Sequence, residues 1–239
     1  VTVIASVPHY PTGTVQELFR HGWLQTTQEN GVKIIRVRVP SLERKQLLKR
    51  AIQFTTFQIG AAITCLSQNY EVVIVTNPAI EVMLPFFTGA VLRRKPSVFF
   101  IADVYPDVGV HLNIFKGKRA IQLVEALERF CLKNATYTWI FSNSFQEPVQ
   151  RLGVSIQKQR LIYSWIDANK IIPLPRQNPF SQEFGLNDYF VVLYAGNLGL
   201  SQGLEKVLGV AKQLEPYTDI RFVFVGDGSG KEALVSRAQ

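Results

Sequence analysis

The chain has 239 residues, 47% of them apolar, with 16 glycines and 12 prolines, so it carries enough hydrophobic sequence for one large or two modest packed domains and is not a disordered chain. Its formal net charge is +8 and its sequence pI is near 9.6. The basic excess gathers at Arg36/Arg38, Arg44/Lys45/Lys49/Arg50, Arg93/Arg94/Lys95 and Lys116/Lys118/Arg119. No nucleic-acid motif and no stacking aromatics accompany it, which sets nucleic acid aside in favour of an anionic membrane surface, a phosphate-bearing lipid or a solvated basic face.

Val1–Val7 is an apolar run expected to form a buried strand. No signal peptide or initiator Met precedes it, and Glu232–Gln239 reads as a helix without a cap, so both ends read as cut and the chain as part of a longer protein. The segments Trp23–Gln28 and Val32–Val39 flank Asn30-Gly31, a type I′ hairpin signal, and predict an antiparallel excursion between parallel units. Ser41–Gln68 carries apolar residues at helical spacing. Its stretch Ala51–Leu66 is shorter than the roughly 20 residues that span a bilayer, and Gln53, Thr55, Thr56 and Gln58 interrupt it. A basic lead-in before an apolar helix fits an interfacial segment or a helix packed on a sheet.

The runs Val72–Thr76, Val98–Ala102, Thr138–Ser142 and Leu161–Tyr163 show little polar alternation and read as buried parallel strands. Ile121–Leu132 repeats the helical spacing through Leu123, Val124, Leu127, Phe130 and Cys131. Strands and helices in this alternation predict an α/β doubly wound sheet. Cys65 and Cys131 fall within apolar helical patterns and read as buried free thiols. Pro173, Pro175 and Pro179 mark a linker over 173–188, dividing a domain over 1–172 from a second that starts at 189 and holds two βα units, too few to bury a stable core alone.

In that second domain, Val191–Ala195 reads as a strand that breaks at Gly196, passes through a Gly/Ser-rich turn and restarts as a helix from Gly203. Arg221-Phe-Val-Phe-Val-Gly-Asp-Gly-Ser-Gly230 repeats the pattern. Two such units in succession form the edge of a nucleotide-binding sheet, where glycines let a phosphate approach the backbone and helix N-termini favour anionic oxygens. Ligands of open α/β sheets bind at the carboxyl ends of strands. That rule selects Ser6-Val-Pro-His-Tyr-Pro11, Thr76-Asn-Pro78, Asp103-Val-Tyr-Pro-Asp107, Ser142-Asn-Ser144, Gly196-Asn197 and Gly226-Asp-Gly228. Asp103, a strand-end carboxylate, is suited to orient an acceptor hydroxyl or position a sugar. An NAD-type Rossmann site is disfavoured, since Gly196-Asn-Leu-Gly199 lacks the third fingerprint glycine.

These segments resemble family 4 glycosyltransferases of the GT-B fold, especially the bacterial branch that builds capsules, O-antigens and colanic acid. Pro8-His-Tyr-Pro11 is similar to the proline/tyrosine loop of that branch, and Asp103-Val-Tyr-Pro-Asp107 to its Asp-Leu-Trp-Pro-Asp/Glu motif. Phe141-Ser-Asn143 and Tyr163-Ser-Trp-Ile-Asp167 resemble two further signatures, and Leu193-Tyr-Ala-Gly-Asn-Leu-Gly with Gln202-Gly203 and Phe224-Val-Gly-Asp-Gly228 resemble the two donor-domain strands. The resemblance implies a Rossmann-like doubly wound N-terminal domain, its first strand and Gly-rich loop missing, and the first part of a second Rossmann-like domain. It implies a retaining glycosyltransferase that moves a sugar from a nucleotide-diphospho-sugar to a lipid-linked or oligosaccharide acceptor in cell-surface polysaccharide synthesis. No metal or cofactor is expected; the enzyme would lie on the cytoplasmic side of the membrane, and the fragment alone would be inactive.

On this reading Asp103 and His9 are catalytic candidates, Gly196, Asn197, Gln202, Gly203 and Gly226 bind the donor, and Tyr10, Asn77 and Asp107 lie on the acceptor side. Where the family commonly has Arg and Lys for the donor pyrophosphate, this chain has Asn197 and Gln202; where it has a catalytic-face His, this chain has Phe100. His9 or His111 would supply a compensating imidazole. These departures motivate a second reading, a degenerate GT-B protein that binds a nucleotide-sugar or a partner glycosyltransferase without catalysis.

Overall fold

The computed structural model describes residues 1–8, 22–40, 47–105, 107, 117–199 and 202–238, together with the backbone but not the side chains of 47–50. His9, Tyr10, His111, Arg44 and Lys45 lie outside the described residues. The chain divides into two compact units, Val1–Ser164 and Trp165–Gln239.

The first unit opens with β1 (Thr2–Ser6), β2 (Leu24–Glu29) and β3 (Val32–Val37), ordered β1-β3-β2. β1 runs parallel to β3, while β2 pairs antiparallel with it, Leu24 opposite Val37 and Glu29 opposite Val32. The connecting turn puts Asn30 at φ 49° and Gly31 at φ 80°, the two left-handed residues a type I′ hairpin needs. The antiparallel excursion therefore forms where Asn-Gly predicts it. A second ladder joins β4 (Val73–Thr76), β5 (Ser97–Ile101), β6 (Tyr137–Ile140) and β7 (Gln159–Leu161), all parallel and in chain order.

Helices α1 (Leu47–Ser67), α2 (Ala79–Phe86, continued by a π-helical turn at Phe87–Leu92), α3 (Lys118–Asn134) and α4 (Gln146–Arg151) connect these strands. α1 sits so close to β3 that a Cβ on Gly60 would lie 2.3 Å from Val37 Cγ1. On α2, the Gln58 side chain donates to Ile80 O (3.0 Å) and accepts from Leu84 N (3.0 Å). The core gathers Phe86, Phe99, Ile101, Cys131, Leu132, Ile140 and Val149, with Phe86 and Phe99 edge to face at 5.6 Å. Both cysteines are free and buried. Leu123 leaves the buried stripe and is 60% exposed, because the inward face of α3 runs through Val124, Glu128, Cys131 and Leu132.

In the second unit, Asn178 starts α5 (Pro179–Glu183) with a reciprocal capping box: Ser181 N donates to Asn178 Oδ1 (3.1 Å) and Asn178 N to Ser181 Oγ (2.9 Å). β8 (Phe190–Ala195), α6 (Glu205–Gln213), β9 (Ile220–Val225) and α7 (Lys231–Ala238) follow. β8 and β9 are parallel, Ala195 opposite Val225.

The apolar runs form strands as expected except Leu161–Tyr163, where the strand is Gln159–Leu161 and Ile162 and Tyr163 lie exposed beyond it, and burial on both faces does not hold throughout. Ile74 on β4 and Phe190 and Leu193 on β8 remain exposed. An apolar run sets strand propensity locally, whereas burial needs a layer on each face, and a two-stranded ladder has little to offer one.

Candidate functional site

The strand ends place the candidate residues in each unit. In the second, the two glycine turns are zipped together beyond β8 and β9: Gly196 N donates to Val225 O (2.9 Å), Leu198 N to Asp227 O (2.8 Å) and Gly230 N to Leu198 O (2.8 Å). A Cβ on Gly226 would lie 1.8 Å from Gly196 O, and one on Gly228 2.6 Å from Leu198 O. These glycines are thus required by the contact of one turn with the other. Leu198 and Leu204, buried beneath, anchor the first turn.

Above that anchor the amides of Asn197 and Gln202 converge on Gly199, whose missing Cβ would meet Gln202 Oε1 at 2.7 Å and Asn197 Nδ2 at 2.8 Å. Gly203, at φ 60°, then turns the chain into α6, whose first turn carries Glu205. Leu204 at the N-cap makes no side-chain cap bond. Two neutral amides that can both donate and accept hydrogen bonds thus stand together just before a helix start. Asp227 does not enter it, since its Oδ1 accepts from Gly228 N (2.8 Å) and lies 4.0 Å from Lys231 Nζ.

In the first unit, Asn77 follows the end of β4 and is 8% exposed. Its Oδ1 accepts from Ala102 N (2.9 Å) and Asp103 N (3.4 Å), and its Nδ2 donates to Asp103 O, which ties the end of β4 to the end of β5. Asn77 is thereby spent on backbone, and Asp103 extends exposed from the loop that it holds. Asp107 is exposed and pairs with Arg151 at 3.8 Å. Phe100 stacks 4.4 Å from Trp139 and 6.3 Å from Phe141, which packs on Phe145 at 4.7 Å. An aromatic row therefore occupies the position where the resemblance implies an imidazole. Among the described residues no cluster of His, Cys, Asp or Glu could hold a metal ion.

Glu128 escaped the sequence reading. It is 1% exposed, and its Oε1 accepts from Ala79 N (2.9 Å), the first residue of α2. Burial pushes its carboxyl up from the ordinary 4.5 to about 7, opposed by the hydrogen bonds from Ala79 and from the Asn77 amide. Cys131, one turn on, is held protonated by burial and by the Glu128 charge. The signal lay in the spacing: a Glu between Val124 and Cys131 falls on the apolar stripe of α3.

Parallel α/β ladders of this kind define a Rossmann-like architecture of the GT-B type, and solved structures share it. The sucrose-phosphate synthase of Thermosynechococcus elongatus aligns with 92% of this chain and 55% of its own at TM-score 0.64 and 16% identity. Anabaena HepE in complex with UDP and glucose aligns over 87% of this chain and 52% of its own at TM-score 0.61 and 15% identity. The Staphylococcus aureus MnaA–UDP complex follows at TM-score 0.51 and 12% identity, over 88% of this chain and 58% of its own. Among curated proteins, WcaI of Escherichia coli (strain K12), named as a colanic acid biosynthesis glycosyl transferase, is 25% identical over 248 aligned positions. That alignment takes in all of this chain and 60% of WcaI, so the chain spans less than two thirds of its relative's length. No family model matches the chain.

Proposed function

We propose that this protein is a retaining, hexosyl-type glycosyltransferase that moves a sugar from a nucleotide-diphospho-sugar to a lipid-linked or oligosaccharide acceptor in cell-surface polysaccharide synthesis. The observation that carries the reading is the meeting of the Asn197 and Gln202 amides at Gly199 beside the zipped turns, on a chain that aligns along its whole length with a glycosyl transferase. UDP in the HepE and MnaA complexes supports a nucleotide diphosphate as the common ligand. Gly196, Asn197, Gln202, Gly203 and the start of α6 hold the diphosphate, whose developing charge these donors stabilise as the sugar departs. Gly226 acts by fixing the turn. On the acceptor side, Asp103 orients the attacking hydroxyl and Asn77 fixes the loop that carries it; the resemblance assigns Asp107, His9 and Tyr10 to the same side, and no metal or cofactor is called for.

The same reading puts the enzyme on the inner face of the plasma membrane. α1 supports it: its outward face carries Ile52, Ile59, Ile63 and Leu66, each between 45% and 55% exposed, and the helix contains no acidic residue. Lys49 and Arg50 belong to its first turn, and Lys33 reaches its far end through Gln68 (3.0 Å). An apolar stripe with basic ends suits an anionic interface, and no described helix is long and apolar enough to cross a membrane.

Titration of the protein with UDP and UDP-glucose by calorimetry, alongside transfer of labelled sugar to a membrane-lipid extract, tests the reading. Failure to bind either nucleotide, together with no transfer from GDP-sugars, would remove it. Asn197, Gln202 and the Phe100 aromatic row favour the second reading, a GT-B protein that binds a nucleotide-sugar or a partner glycosyltransferase without turnover; binding with no transfer to any acceptor selects that one.

A further inference from the structure

Three strand-linked segments meet at Glu128. From α3 its Oε1 takes the Ala79 N–H at the start of α2 (2.9 Å), two positions after Asn77, and the Asn77 amide favours its ionised form from the same junction. Asn77 in turn holds Asp103 by Nδ2 to its carbonyl and by Oδ1 to its N–H, with Ala102 N on the same oxygen. Every hydrogen-bonding atom of the Asn77 side chain is engaged, so its rotamer is fixed from both sides. Glu128 is the one buried carboxylate among the described residues, it stands in an apolar layer, and it reaches no cation there. An apolar residue would fill that position at lower cost if packing were the only requirement.

We propose that Glu128 is a positioning residue: acting through Asn77, it sets the conformation of the strand-end loop that presents Asp103. The inference rests on the acceptor-side reading of Asp103 and adds a means of regulating it. A carboxyl that titrates near neutrality exchanges an acceptor for a donor toward Asn77 as it takes up a proton. The groups that face it are few. Cys131 on its own helix stays neutral, the β4–α2 junction offers only the Ala79 N–H and the Asn77 amide, and no charged group acts on it among the described residues. The Asp103 loop is therefore held by an ionised Glu128 above neutral pH and loosened below it.

Proton–nitrogen correlation spectra of the protein between pH 5.5 and 8.5 read this directly. The Asn77 side-chain amide and the backbone amides of Ala79, Ala102 and Asp103 should shift together with one midpoint near 7. Glu128→Gln keeps the volume and one acceptor for Ala79 but turns an NH2 toward Asn77, so the shared transition should vanish. Titration of Asn77 and Ala79 without Ala102 and Asp103 would overturn the proposal, as would persistence of the transition in Glu128→Gln. The wild-type titration decides the matter even where that variant fails to fold. Asp103→Asn separates the two readings: unchanged sugar transfer alongside an intact four-amide transition would sink the acceptor-side assignment and leave the coupling standing.

Discussion

Glu128 carries a consequence for stability that needs no substrate. Its folded-state value of about 7 lies above the ordinary 4.5, so proton uptake favours the folded chain. The contribution is fully present below about 4.5 and is lost as pH rises through about 7, on the order of 3 kcal/mol in all. Urea unfolding at pH 5 and pH 8 should show a larger loss of stability for the wild type than for Glu128→Gln; equal losses would mean that the carboxyl is not buried as described. The turn glycines give a second contrast. Gly226→Ala drives a Cβ into the Gly196 carbonyl, a backbone atom that cannot step aside, and should cost more than about 2 kcal/mol. Gly209→Ala, in α6 with nothing near its Cβ, should instead stabilise by about 0.5–1 kcal/mol. Both are read from denaturation midpoints.

At the scale of elements, α1 is the helix with two destinations. One face is committed to β3 and α2 through Gly60 and Gln58, while the other leaves Ile52, Ile59, Ile63 and Leu66 in solvent. Sedimentation with phosphatidylglycerol vesicles should be strong at low salt and released at high salt, because the Debye length falls from about 10 Å at 0.1 M to about 3 Å at 1 M. Replacing the four apolar residues with Ser should abolish retention at low salt, and replacing Arg44, Lys45, Lys49 and Arg50 with Gln should weaken it. Binding indifferent to both sets would leave the stripe without a membrane role. Arg93 is a poor contributor to such a patch: its guanidinium caps the end of α1 at Cys65 O (2.9 Å) and Leu66 O (3.2 Å) and lies over the Tyr70 ring at 5.0 Å. In the other unit, Asn178→Ala removes the capping box of α5 and should cost about 1 kcal/mol.

For the whole molecule, the two units differ sharply in what they bury. The second keeps only Leu186, Leu198 and Leu204 as buried apolar side chains among its described residues, against the continuous cluster from Ala79 to Val154 in the first. Amides of β8 and β9 should therefore exchange at lower free energy than those of β5 and β6, in a separate opening step. Protection equal in the two ladders would refute this.

What the sequence by itself determined was local. Asn30-Gly31 set the hairpin because only residues that tolerate positive φ close a type I′ turn, and apolar runs set most of the strands of both units. The repeated strand–glycine–helix pattern marked both turns in the second unit. The tertiary structure decided what each residue meets. It put Ile74 and Leu193 in solvent, spent Asn77 on the Asp103 backbone, explained Gly226 by the Gly196 carbonyl, and sank Glu128 into an apolar layer beside Ala79. Backbone preference is settled by neighbours in the chain, whereas burial, hydrogen-bond partners and the proton affinity that follows from them depend on atoms brought close from far along it: Glu128 and Ala79 are 49 positions apart, yet share a hydrogen bond of 2.9 Å.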